Sequence, residues 1–290
     1  MKRLTTNMQP YYFLLPAIIL LGLFLFLPVL LTIYYAFTDY YMLTPGDRSF
    51  VGLDNFTQLT SDPVFMESLK NIGLFVICII PLQVGTALGL ALIINKNRKG
   101  NIFIKIAFFS PVVMSLVVIS VLWLYLLNPS DGLINSALQA VGINPQPFLT
   151  SPNQAMFAIV FVSAWQGAGY QMLIFLAGLQ NISTEVYEAS KIDGANKWQN
   201  LIHITLPLLK PTSTLILFTT LIGAFKLIIQ PMVMTQGGPL NATMTPLYYI
   251  YQTGFTDRFV GYASAITVVF GLLIAVVSFT QRKLTKEEEV

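Results

Sequence analysis

The stretch Glu188-Ala189-Ser190-Lys191-Ile192-Asp193-Gly194-Ala195-Asn196-Lys197-Trp198-Gln199-Asn200-Leu201-Ile202-His203-Ile204-Thr205-Leu206-Pro207 is a polar island in an otherwise apolar chain. It reads as two short helices joined at a glycine. Ser183 or Thr184 caps the first, and Glu185 sits in its first turn, where the helix dipole favours an acid. Glu188 and Lys191 are three apart and share a face. Gly194, following Asp193, is placed to end this helix in the left-handed conformation, which costs glycine little. The second piece sets Trp198, Leu201 or Ile202, and Thr205 at helical spacing, the pattern of a helix lying in a membrane interface with Trp198 at headgroup depth. Pro207 then helps the chain turn into the next segment. The result is a compact protrusion with Glu188 on its exposed side.

The chain around this island is 55% apolar and 10% charged, with a mean hydropathy of +0.69. Soluble globular proteins carry about 25% charged residues, so that class is excluded. Charge is absent from Arg3 to Asp39, Lys70 to Lys96, Lys105 to Asp131, Asp131 to Glu185 and Arg258 to Arg282, and from Lys210 to Asp257 only Lys226 interrupts. A spanning helix needs about 20 apolar residues. The expectation is therefore an all-α polytopic membrane protein with six transmembrane helices near 11–36, 68–94, 102–127, 154–180, 211–233 and 260–280. The first is read as an uncleaved span, because its apolar run is too long for a signal core and no small-residue cleavage site follows.

Six crossings put both termini on one side, and the basic residues choose it. Lys2, Arg3, Lys96, Arg98, Lys99, Lys105, Lys191, Lys197, Lys210, Arg282, Lys283 and Lys286 fall on one side; only Arg48, Lys70 and Arg258 fall on the other. By the positive-inside rule the termini and the island are cytoplasmic. The division is a cytoplasmic N-terminus over 1–10, a transmembrane region over 11–284 containing the cytoplasmic loop 181–210, and a tail over 285–290. The net charge of +3 is thus a topology signal, not a nucleic-acid footprint. Cys78 is the only cysteine, so no intrachain disulfide forms. Gly85, Ala87 and Gly89, the glycines in GxxxG spacing, read as a site of close helix packing, with a sliding seam as the alternative. The outer loop 37–66 holds a short amphipathic piece around Leu53–Leu59, and the Pro-rich loop 128–152 is too short for a folded domain.

The island fits E-A-[AS]-x3-G-x9-I-x-L-P at every specified position, and so resembles the cytoplasmic coupling loop of bacterial ABC importer permeases. A second match is Thr235-Gln236-Gly237-Gly238-Pro239-Leu240-Asn241-Ala242-Thr243 with Tyr249-Ile250-Tyr251 downstream. It is similar to the segment after the fifth helix in carbohydrate-importing permeases. A structural turn is the plain reading of Gly237-Gly238-Pro239. The resemblance covers roughly 11–284 and is to the first-position permease of maltose, multiple-sugar or glycerol-phosphate importers. It implies the type I importer permease fold, working by alternating access in a bacterial or archaeal plasma membrane. It further implies a homologous second permease, two ATPase subunits and an extracytoplasmic binding protein as partners. Glu188, Ala189, Ser190, Asp193 and Gly194 would then form the ATPase contact, with Glu188 meeting a basic residue, Ala189 and Ser190 packing closely and Gly194 supplying the turn. No Gly-Lys pair occurs anywhere in the chain, so ATP and magnesium would be bound by the ATPase subunits and no cofactor or metal by this chain.

Polar groups at membrane depth nominate the substrate pathway: Gln83, Ser163, Trp165, Gln166, Gln171, Lys226 and Gln230. An intramembrane cation costs ~2.5–3.5 kcal/mol on insertion scales, which asks a role of Lys226: a donor to substrate hydroxyls, or a tie to a partner-subunit carbonyl. Trp165 either stacks on a sugar face or packs against lipid and core. No expected span contains Asp or Glu, against a secondary sugar transporter coupled to protons or sodium. The single His203 lies on the loop, and neither H-E-x-x-H nor G-x-S-x-G occurs, against a membrane hydrolase. The absence of Arg from every span leans toward a neutral sugar over a phosphorylated one.

Overall fold

The computed structural model describes residues 9–95 and 100–287. Lys2 and Arg3, the inner-loop residues Lys96, Arg98 and Lys99, and the last three residues of the tail lie outside the described residues. Among the described residues the chain is helical, with only isolated bridges at Thr38–Phe50 and Tyr41–Phe259. Among the described residues four helices are long and apolar enough to cross a membrane, and up to six when each of two bent pairs counts as one span.

The chain forms two compact units. One comprises residues up to Asp62 together with Ile250–Leu272. Its first helix, α1 (Phe13–Tyr35), is apolar all round and leaves its side chains exposed, the pattern of a helix meant for hydrocarbon. The following turn is fixed by Asn55 in α2 (Asp54–Thr60), whose carboxamide donates to the Ala36 and Thr38 carbonyls at 2.9 Å each. Gly261 donates its N–H to Tyr40 at 2.9 Å, and a Cβ there would fall 2.1 Å from the Thr38 carbonyl oxygen, so only glycine fits. The Tyr262 hydroxyl donates to Asp62 at 2.6 Å.

The other unit, Pro63–Tyr249 with Leu273–Val290, is organised around a long central helix. It contains α3 (Pro63–Ile94), α4 (Asn101–Val113), α5 (Leu116–Leu126), α6 (Leu133–Ala140), α7 (Pro152–Gln180), α8 (Thr184–Ile192), α9 (Lys197–Leu208) and α10 (Lys210–Phe225). Helix α7 supplies Ala168, Met172, Phe175, Leu176 and Leu179 to a cluster completed by Ala87, Ala91 and Ile94 of α3, Ile216 of α10, and Leu209. Small residues set the approach distances. A Cβ at Gly169 would meet the Phe108 carbonyl oxygen at 1.8 Å, so α4 crosses α7 at that glycine.

Four expectations need correction. Close packing at Gly85 and Gly89 is not made within the chain, since a Cβ at either meets nothing within 4 Å. The packed ridge is Ala87–Ala91, two residues on and so on the opposite side of the helix. The span at 102–127 is instead α4 and α5, bent by 107°. Met114 and Ser115 are both extended there, beyond Pro111, which lacks a helical donor. The span at 211–233 stops at Phe225, and helical backbone resumes only at Ile229. Finally, the turn into that span is not at Pro207 but at Leu209, where α9 and α10 meet at 67°. The loop 128–152 also holds a helix, α6, that the sequence did not announce.

Candidate coupling loop and pathway cavity

The loop from Thr184 to Leu208 is two helices tied to each other. Ser183 caps α8 by accepting from the Glu185 N–H at 3.2 Å. Gly194 has φ +78°, and two hydrogen bonds close the helix end: Gly194 N–H to Lys191 O at 3.1 Å and Ala195 N–H to Ser190 O at 2.9 Å. That pairing is the Schellman motif. Asn196 and Gln199 then form a reciprocal capping box that starts α9: the Asn196 side chain accepts from Trp198 and Gln199 N–H, and the Gln199 side chain accepts from Asn196 N–H at 2.8 Å. The N-x-x-Q spacing carried this signal. Between the helices, the Tyr187 and Thr205 hydroxyls lie 3.1 Å apart.

Glu188, Ala189, Asp193 and Gly194 are exposed on this protrusion. Ser190 is not; it is buried and donates to the Tyr187 carbonyl at 2.9 Å, a bond within α8 itself. Trp198 is exposed and Thr205 buried, although the sequence sets them at helical spacing on α9.

Depth along the molecule follows from α3. Near one end Asn71 donates to the carbonyls of Asn241 and Met244, at 2.7 and 2.9 Å, which pins the outer loop. At the other end Ile94 packs with Leu179 and Leu209, where the coupling loop begins and ends. The 23 residues from Asn71 to Ile94 span about 35 Å at 1.5 Å per residue. Gln83 sits near the middle.

At that middle depth lies a cavity of about 420 Å³. It brings together Gln83, Ser163, Gln166, Gln171, Lys226 and Gln230, all expected from the sequence, and adds Tyr170, Thr219 and Thr220. Tyr170 stands one turn beyond Gln166 on the same face, the spacing that could have found it. Trp165 is not brought in: it packs edge-on against Trp123, with ring centroids 5.6 Å apart. Gln171 donates to Thr220 at 2.6 Å, and Gln230 donates to Ser163 at 3.3 Å. The Gln171 carbonyl oxygen is buried without a partner.

Lys226 ends α10 and lines the cavity. A cation there is favoured by the helix dipole and the last carbonyls. The irregular backbone that follows is the kind membranes allow only where it is buried in protein or lines a cavity. Here Leu227 O accepts from the Thr245 hydroxyl at 2.7 Å. Beyond it, Gly237 has φ +80° and a Cβ there would meet Met244 at 2.6 Å. Thr243 donates to Gly238 O at 2.9 Å across a turn containing Gly238 and a cis Pro239.

Comparison with known proteins shows the family. A probable ABC transporter permease of Bacillus subtilis is 36% identical over 281 residues, 96% of each chain. The lactose transport system permease of Rhizobium radiobacter is 35% identical, covering 98% of this chain and 96% of that one. The arabinooligosaccharides transport system permease of B. subtilis is 34% identical, covering 95% and 88%. The fold matches the crystal structure of a bacterial ABC transporter involved in the import of the acidic polysaccharide alginate, with TM-score 0.85, 24% identity and 99% of each chain covered. The model of the binding-protein-dependent transport system inner membrane component family matches residues 83–287, taking in both the cavity and the loop, and to that family this chain belongs.

Proposed function

We propose that this chain is one half of the channel of an ATP-driven carbohydrate importer, coupled to separate ATPase subunits through α8 and α9. The observation that carries this reading is the mid-depth cavity, whose largely apolar wall carries amides and hydroxyls, joined by one helix, α10, to the loop that exposes Glu188. Amides and hydroxyls suit a hydroxyl-rich, uncharged cargo, since they donate and accept alike. The sugar-transport names of the relatives point the same way. A binding protein delivers the sugar from outside, a homologous second permease completes the channel, and lipid covers α1. Glycerol phosphate is the second cargo reading, which Lys226 alone among the cavity residues favours.

The complex reconstituted in liposomes should import the sugar that co-purifies with its binding protein only when ATP is supplied. Import should be unaffected by a protonophore. Uptake driven by a proton gradient without ATP would instead make the chain a secondary transporter. In a Cys78→Ala background, Gln236→Cys should react with an impermeant thiol reagent added outside cells, and Asn196→Cys should not. The reverse pattern would invert the orientation.

A further inference from the structure

We infer that the Tyr187 hydroxyl is a positioning group for coupling: its bond to Thr205 makes α8 and α9 a single lever on the fifth span. The inference rests on the reading of α8 and α9 as the ATPase contact. Covalently, the two helices are joined only through Asp193–Asn196, a corner around Gly194 where a Cβ would touch nothing. The Schellman and capping-box bonds fix each helix end separately, and with no packing at Gly194 the angle between the helices calls for a further restraint.

The Tyr187–Thr205 bond supplies the missing restraint, and its direction can be assigned. The Thr205 hydroxyl donates its one hydrogen to Asn200 O at 3.1 Å, five residues back, a reach provided by the π-helical turn Leu201–Thr205. A carbonyl can only accept, so at the 3.1 Å contact Tyr187 is the donor and Thr205 the acceptor. Thr205 is buried and Tyr187 half-buried, which removes much of the competition from water. Ser190 steadies the donor by bonding the Tyr187 carbonyl.

The chemistry then continues mechanically. Thr205 lies one turn before Leu209, which is fully buried in the cluster with α3 and α7 and forms the 67° bend into α10. Helix α10 ends at Lys226 in the cavity wall. A push on Glu188 therefore reaches the cavity through its neighbour Tyr187, and without the hydroxyl part of it is lost as rotation about Gly194.

The test is the number of sugar molecules imported per ATP hydrolysed, measured in liposomes with the complete complex and loaded binding protein. Tyr187→Phe should lower this ratio about threefold to tenfold, the factor by which one net hydrogen bond biases an equilibrium. Hydrolysis and complex yield should stay near parental. Thr205→Val should do the same, Thr205→Ser should restore the ratio, and the double variant should be no worse than either single one. An unchanged ratio in Tyr187→Phe overturns the inference. So does a parallel fall in import and hydrolysis, a lower yield of complex in both variants, or additive losses. Glu188→Lys serves as the control: if it sheds the ATPase, the coupling-loop reading stands whatever Tyr187 does. If Glu188→Lys keeps both the ATPase and parental import, that reading falls by itself.

Discussion

The candidate coupling loop and the cavity are built by the same chain to different ends. In the loop, helix ends are capped from within, the corner glycine is in its expected conformation and the two helices share a part-buried hydroxyl pair. The cavity instead presents amides, hydroxyls and one ammonium to open space, while a buried carbonyl oxygen without a partner occurs in both regions, at Gln171 and at Asn200 of α9. A finished surface suits rigid transmission of force. A cavity wall with polar groups facing open space suits a ligand that comes and goes, because each such group favours whatever brings its complement.

Glu188→Lys and Gly194→Val attack the finished region and should abolish import. Charge reversal at a hydrogen-bonded contact costs several kcal/mol, and valine is an outlier at positive φ. Because a Cβ at Gly194 meets nothing, Gly194→Asn, which tolerates the left-handed region, should retain import where valine does not. Equal loss in both variants would mean that the corner needs space, not conformation. Both losses should be read as sugar uptake in liposomes.

Lys226→Met probes the open region. Import should fall several-fold while basal ATP hydrolysis and complex yield hold; a fall in yield would make Lys226 a structural tie, and parental values in all three would remove it from the site. The smallest effect belongs to Gly167→Ala. Its Cβ would meet the Gln83 carboxamide at 2.4 Å, but that is the tip of a flexible side chain and can swing away. The apparent KM for import should rise modestly with maximal rate unchanged. A collapse in rate would show Gln83 to be fixed in the cavity wall.

The same contrast explains what could be read from the sequence. Local chemistry was legible: Ser183, Gly194 and the polar membrane-depth residues all announced their places, because caps, left-handed glycines and buried amides obey short-range rules. What depends on distant neighbours was not. Apolar runs show length but not direction, so the 107° bend at Met114–Ser115 and the break after Phe225 were hidden. The break persists because Thr245, 18 residues on, satisfies Leu227 O. Gly85 and Gly89 drew attention by spacing while the alanines on the other side did the packing. Trp165 likewise had a partner, Trp123, that no local pattern names.

The Asn71 clamp also has a consequence for biosynthesis. Its two acceptors lie 170 and 173 residues downstream, so they do not yet exist when the second span is inserted. At 5–20 residues per second, about 9–35 s of translation separate donor and acceptor. During that interval the Asn71 carboxamide must be satisfied by water or headgroups at the membrane surface, and the outer loop seals over it only once the chain beyond the fifth span has emerged.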